Sequence, residues 1–384
     1  MSSSFQWHEV SLSTLIRPFL QLSYPTARPA NPDSFPNANY YDIGLLDGCF
    51  IISTMAVFAI LREIVRLHIM TPFANKFLFG NMRGYQCKTS KSKKANGHAN
   101  GHANGGHIHA NGHSNGHANG NGHYAARRIS ARNRVRERNV IRFAEQGWAF
   151  VYYTIWWSFG VYIHFSLPTA PWKLDHLWIG YPHNPLPGPL KVYYLTQCAF
   201  WIHQLLIVNA EARRKDHIQM NAHHVITICL VFASYFLNLT RVGCLILVLM
   251  DFCDIVLPLA KMLRYLERTF ACDCAFVTFL VSWFLTRHVA FLLILYSTLF
   301  RFPVLRPGAF IPNSGEIVTK ELYYAFNAAL IALQVLMCIW FTAIVKVAWS
   351  VMRGKPAEDT RSDEELPDSS DDEADDKLDE KKRQ

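Results

Sequence analysis

A chain of 384 residues is long enough for two soluble domains, but 51% hydrophobic and 14% aromatic residues against 17% charged ones describe a membrane protein instead. The formal net charge of +9 at pH 7 gathers in loops between apolar runs, where it reads as membrane topology and not as a nucleic-acid surface. Nine cysteines, scattered and several of them inside apolar runs, show no zinc or disulfide spacing, so no metal site is expected.

Residues 1–44, rich in Pro, Asn and Ser, read as a mostly irregular leader on the non-cytosolic side. Its start, MSSSFQWHEV, lacks the apolar centre of a cleaved signal, so the first apolar run, 45–67, is expected to act as the targeting signal and first transmembrane helix. A long cytosolic loop, 68–142, follows. Inside it residues 96–123 repeat NGHA-like units with almost nothing to bury, which predicts disorder. Beyond it, apolar runs recur at about 147–165, 192–208, 222–240, 243–260, 274–298 and 326–349, giving about seven candidate spans and an all-α polytopic fold. The tail, 353–384, is acidic and expected to be disordered in the cytosol, and Ser362, Ser369 and Ser370 precede its acidic runs, as acid-directed phosphorylation requires.

Lys and Arg set the orientation. The cluster from Arg127 to Arg142, the run Arg213, Arg214, Lys215, and the group Lys261, Arg264, Arg268 fall in alternate loops. These loops belong in the cytosol, which leaves the N-terminus outside it and, with an odd number of spans, returns the C-terminus to it.

Two neighbouring spans carry the chemistry. The fourth begins at His223 and His224 and retains Ser234, Tyr235, Asn238 and Arg241; the fifth contains Asp251 and Asp254. Ionisable groups at membrane depth are costly, so they are rarely idle. At about 100° per residue, His223, Thr227, Ser234, Asn238 and Arg241 share one polar stripe, while His224 and Tyr235 point elsewhere. Asp251, Asp254 and Lys261 fall within about 80° of one another on the next helix. Lipid cannot solvate such faces, so the two are expected to meet in a buried polar cavity in the cytosolic half. Gln197, His203 and Gln204 in the third span and Arg287 in the sixth are candidates to extend it.

The run Arg213-Arg214-Lys215-Asp216, His223-His224, Thr227, Ser234-Tyr235, Asn238, Arg241, Gly243, Asp251, Asp254, Leu257, Ala260-Lys261 and Tyr265 closely resembles the Lag1 motif (213–265) of ceramide synthases, the sphingoid-base N-acyltransferases of the TLC-domain family. Resemblance extends to Phe143-Ala144-Glu145, Gly147-Trp148, Tyr152-Tyr153-Thr154, Trp283 and Arg287, across a TLC domain at 143–352 of fungal type. The resemblance implies a helical barrel or bundle in the endoplasmic reticulum membrane, N-terminus luminal and C-terminus cytosolic. It implies transfer of a fatty acyl group from acyl-CoA, a co-substrate and not a cofactor, to the amine of a sphingoid base. His223, His224, Asp251 and Asp254 would be catalytic. Arg213, Arg214, Lys215, Ser234, Tyr235, Asn238, Arg241, Lys261, Trp283 and Arg287 would bind substrate. Membrane lipids, a homo- or heterodimer and a small single-span regulatory subunit are the partners it suggests; nucleic acid is not among them.

Either of two routes fits a histidine here: base catalysis of direct amine attack, or attack by the imidazole itself to give an acyl-imidazole. A non-enzymatic TLC-domain protein, lipid-sensing or translocon-associated, is the competing reading, against which the intact His and Asp pairs speak. A seven-span receptor lacks its Asp-Arg-Tyr and Asn-Pro-x-x-Tyr signals here, and a di-iron desaturase its several histidine boxes.

Overall fold

The computed structural model describes residues 12–77, 120–211, 215–306 and 318–353, apart from the side chains of Leu12, Thr14 and 120–132. They fold almost wholly into helices: α1 (Leu12–Leu20), α2 (Asp47–Phe77), α3 (Gly120–Ser166), α4 (Gly188–Ala210), α5 (His217–Phe236), α6 (Thr240–Tyr265), α7 (Thr269–Leu305) and α8 (Lys320–Met352). Three two-residue strands, β1 (Pro25–Thr26), β2 (Tyr40–Tyr41) and β3 (Leu186–Pro187), form an antiparallel ribbon in which Tyr40 faces Thr26 and Pro187.

A helix stands at each of the seven expected spans. Among the described residues, four of them, α2, α6, α7 and α8, are long and apolar enough to cross a membrane. The other three owe their lower hydropathy to aromatic and polar positions: Trp148, Tyr152, Tyr153, Trp156, Trp157, Tyr162 and His164 in α3, Gln197, His203 and Gln204 in α4, and Gln219, Asn221, His223 and His224 in α5. Composition by itself therefore supports four spans, fewer than the expected seven.

Boundaries move for identifiable reasons. The leader is less irregular than its composition suggests, since it holds α1, β1 and β2. α2 runs on to Phe77 through a wider π-type turn, Val65–Met70. α3 starts at Gly120, so the last part of the 68–142 loop is helical, Ala125, Ala126 and the arginines being strong helix formers. Most of the 96–123 tract, and the tail from 354 on, lie outside the described residues. α5 stops at Phe236, short of Thr240, because Asn238 takes the left-handed conformation (φ 57°) that breaks a helix and that Asn tolerates better than most residues. α8 opens on Thr319, whose hydroxyl accepts from the Leu322 amide at 3.3 Å, with Glu321 in its first turn.

The described residues divide into two compact units, one within 12–63, 149–260 and 270–353, the other within 64–148 and 261–269. In the first, α5 packs against α4 and α8, and Leu230, Leu245, Phe291, Leu330 and Met337 belong to one apolar core. Phe58, Tyr152 and Phe200 make a separate aromatic cluster, Tyr152 stacked on Phe200 at 3.4 Å. The second unit has its own small core, in which Ala74, Val140 and Phe143 meet Met70, Met262 and Tyr265.

Candidate active site

Within the first unit, α4, α5, α6, α7 and α8 line a cavity of about 50 Å³. One end is polar, formed by His223, Asp254, Arg287 and the indole of Trp201; Leu230, Val231, Ile246, Leu247, Leu333 and Met337 line the rest. The α5 stripe supplies this arrangement, since His223, Thr227 and Ser234 all face the cavity, as their helical spacing requires.

His223 is held by aromatic edges. Its ring lies 5.5 Å from that of Trp201 and 5.2 Å from that of Trp340, both at steep angles, and 5.4 Å from the ring of His224. Its Nδ1 is buried without a hydrogen-bond partner among the described residues, as is the Thr227 hydroxyl. Buried polar atoms are ordinarily satisfied, so these two, on residues that line the cavity, stand out.

Across the cavity, Arg287 Nη2 donates to Asp254 Oδ1 at 2.9 Å and to the Met250 carbonyl at 2.9 Å, and its guanidinium lies over the Trp283 ring at 4.2 Å. Arg287 belongs to a π-type turn, Phe284–Ala290, a widening often found at functional positions. Asp251 behaves differently. It is wholly buried, accepts from Gln197 Nε2 at 2.8 Å and does not line the cavity, so the two carboxylates expected on one face have separate partners on separate helices.

His224 is buried beside Trp201 and outside the cavity lining, as its place off the stripe implies. Three other expected binding residues are directed away. Tyr235 donates to Asp47 Oδ2 at 2.8 Å; Asn238 forms the turn after α5; Arg241 donates to the carbonyls of His176 and Ile179 and pairs with Asp33. The wheel that put Arg241 on the stripe assumed an unbroken helix through 237–239, where the backbone instead reverses. Ser234 stays at the cavity and donates to Tyr194 Oη at 3.3 Å. Gly243 is there by necessity, since a Cβ would fall 1.9 Å from Tyr194 Oη. Trp283 lies under Arg287, not on the lining; Lys261 is in the second unit; Lys215 is exposed just ahead of α5; Arg213 and Arg214 lie outside the described residues.

The sequence flagged Gln197 only loosely, and it gave no sign of Trp201 or Trp340, because an aromatic ring in an aliphatic helix looks like ordinary packing. The assembled geometry is an imidazole with a buried, unpartnered ring nitrogen on a largely apolar chamber that a buried ion pair also lines. An imidazole so placed can take a proton or attack an electrophile.

Fold and cavity together define a polytopic helical membrane protein with a largely apolar chamber among its helices, into which a few polar side chains project. The TLC-domain family model matches residues 142–346, and the chain belongs to that family. It is similar to a sphingosine N-acyltransferase-like protein of Alternaria alternata, 38% identical over 261 residues, and to the sphingosine N-acyltransferase lag1 of Schizosaccharomyces pombe, 43% identical over 235 residues; each match covers 60% of this chain and 60% of the relative. Similarity to ceramide synthase 5 of Mus musculus is 37% over 237 residues, covering 61% of this chain and 54% of that protein. The chain thus spans about 60% of the length of the curated relatives it matches.

Proposed function

We propose that this protein is a ceramide synthase of the endoplasmic reticulum membrane, an enzyme that joins a fatty acyl group from acyl-CoA to the amine of a sphingoid base. The observation that carries the reading is one cavity with His223 and the Asp254–Arg287 pair at its polar end and aliphatic side chains along its length. The names of the relatives support the same reaction.

A sphingoid amine is largely protonated at neutral pH, so a base must expose its lone pair, and imidazole titrates in the right range. The ammonium loses one proton to solvent, the free amine nitrogen attacks the thioester carbonyl and passes a second proton to the imidazole, the C–N bond forms, the C–S bond breaks, and the thiolate leaves with the proton that the imidazole collected. Alternatively His223 attacks first and the amine resolves the acyl-imidazole. Both routes use the same ring, and the intact mass of protein incubated with acyl-CoA by itself separates them. His224, beside His223, assists proton transfer; Asp251, held by Gln197, positions the polar end without touching substrate. The basic run Arg213, Arg214, Lys215 attracts the CoA phosphates from the cytosol. Lys215→Ala then raises the KM for acyl-CoA with kcat little changed, most clearly at low salt.

Incubation of purified protein with sphinganine and acyl-CoA, followed by mass spectrometry of the lipid extract, tests the proposal. Amide formation is expected, with His223→Ala lowering turnover by at least about 100-fold. Folded protein that yields no amide would point to the non-enzymatic, lipid-sensing reading.

A further inference from the structure

A second cavity lies further along α8. It is a small, partly open apolar hollow with room for about one water, between Trp178, Leu239, Phe302, Val318, Leu322 and Asn327. Phe326, itself buried, lines both this cavity and the one that contains His223. On α8 the residues Met337, Leu333, Leu330, Phe326 and Leu322 follow one another at spacings of three and four, so a single helix face runs past both spaces. We propose that Phe326 is the end wall of the acyl chamber and sets the longest acyl chain that the N-acyl transfer proposed above accepts, the second cavity being space this ring keeps out of use.

Distances along the helix suit a lipid tail. On α8 the cavity lining runs from Met337 to Phe326, eleven positions or about 16 Å along the axis, which suits an extended acyl chain. Leu322 lies one turn beyond, about 6 Å. The walls of the second cavity are tied by hydrogen bonds: Tyr323 Oη donates to the Leu299 carbonyl at 2.9 Å, Asn327 Nδ2 to the Tyr323 carbonyl at 2.9 Å, and Trp178 Nε1 to Ser297 Oγ at 2.8 Å. Phe326 has an apolar side chain held by contact packing, so its truncation opens the partition while those polar ties remain.

Two readouts on the full-length protein test this. The first is the amide profile made from an equimolar series of acyl-CoAs; the second is thermal stabilisation by non-reactive acyl-CoA thioethers of the same lengths. Phe326→Ala is expected to move both maxima to chains a few methylenes longer. Each methylene taken into an apolar site is worth about a fourfold preference, so two of them raise the long-to-short ratio by about tenfold or more. Val318→Trp added to Phe326→Ala refills the second cavity and restores the original lengths. Should Phe326→Ala fail to fold, Phe326→Leu is expected to move the maxima in the same direction by less. A stabilisation maximum at the same length in wild type and variant, or no dependence on length in either, overturns the end wall. A shifted stabilisation maximum without any amide overturns the transferase reading and leaves the wall standing.

Discussion

His183, in the segment between α3 and α4, has both ring nitrogens buried without a partner among the described residues. Burial above all, and then the positive charges of Arg241 and Arg306, hold its pKa down to about 3, against an ordinary value of 6.5. The unfolded chain takes up a proton below pH 6.5 that the folded chain refuses until pH is near 3. The titration of this group therefore costs nothing at neutral pH, and stability falls by about 1.4 kcal/mol per pH unit as pH drops through that window. His183→Gln is expected to lose less Tm between pH 7.5 and pH 5 than the wild type in the same detergent; equal losses would remove the acid sensitivity from this ring. At the chemical end of the cavity, His223→Ala is the cleaner probe of the reaction. Asp254→Ala strands the buried Arg287 guanidinium, and leaving one member of a buried pair uncompensated costs about 3–5 kcal/mol. Its loss of activity is expected to come with a lower Tm, while His223→Ala keeps the wild-type melting point within a few degrees.

Among the elements, the break between α5 and α6 decides what reaches the cavity. Leu237–Leu239 turn through the left-handed Asn238, so Ser234 remains on the chamber while Arg241 is carried away to His176, Ile179 and Asp33. A β-branched residue tolerates that conformation poorly, and Asn238→Ile is expected to cost about 1–2 kcal/mol; Asn238→Gly is expected to be nearly neutral. Thermal melts of the two variants side by side check the difference. Helical periodicity put His223, Thr227 and Ser234 on one stripe and His224 off it, and the cavity lining has that arrangement. Periodicity could not separate Asp251 from Asp254, because side chains three positions apart diverge only as far as their partners allow, and Gln197 and Arg287 come from other helices. The π-type turn around Arg287 was equally hidden, since such a turn follows from packing and leaves no residue pattern.

In the first unit as a whole, the leader is part of the folded structure. Lys191 at the start of α4 is fully buried and pairs with Asp47 at 2.8 Å, donates to the carbonyls of Ser23 at 2.9 Å and Asp42 at 2.6 Å, and lies over the rings of Tyr24 and Tyr41. Tyr235 donates to the same Asp47, so the leader, α2, α4 and α5 are joined through one carboxylate. Asp47→Ala leaves the Lys191 ammonium without its counter-charge and is expected to cost about 3–5 kcal/mol. A melting temperature within one or two degrees of wild type would show that the leader contributes little to the fold.

The sequence by itself determined the class of fold, the place of the long helices and the polar residue types on the cavity. Apolar length, the distribution of Lys and Arg, and the His and Asp spacing all act within one segment at a time. Only the tertiary structure decided which polar groups share a chamber, that Asp251 and Arg241 turn to other partners, and that Phe326 lines two apolar spaces. Those outcomes depend on contacts between helices distant in the chain, where a buried charge or ring takes whichever neighbour satisfies it.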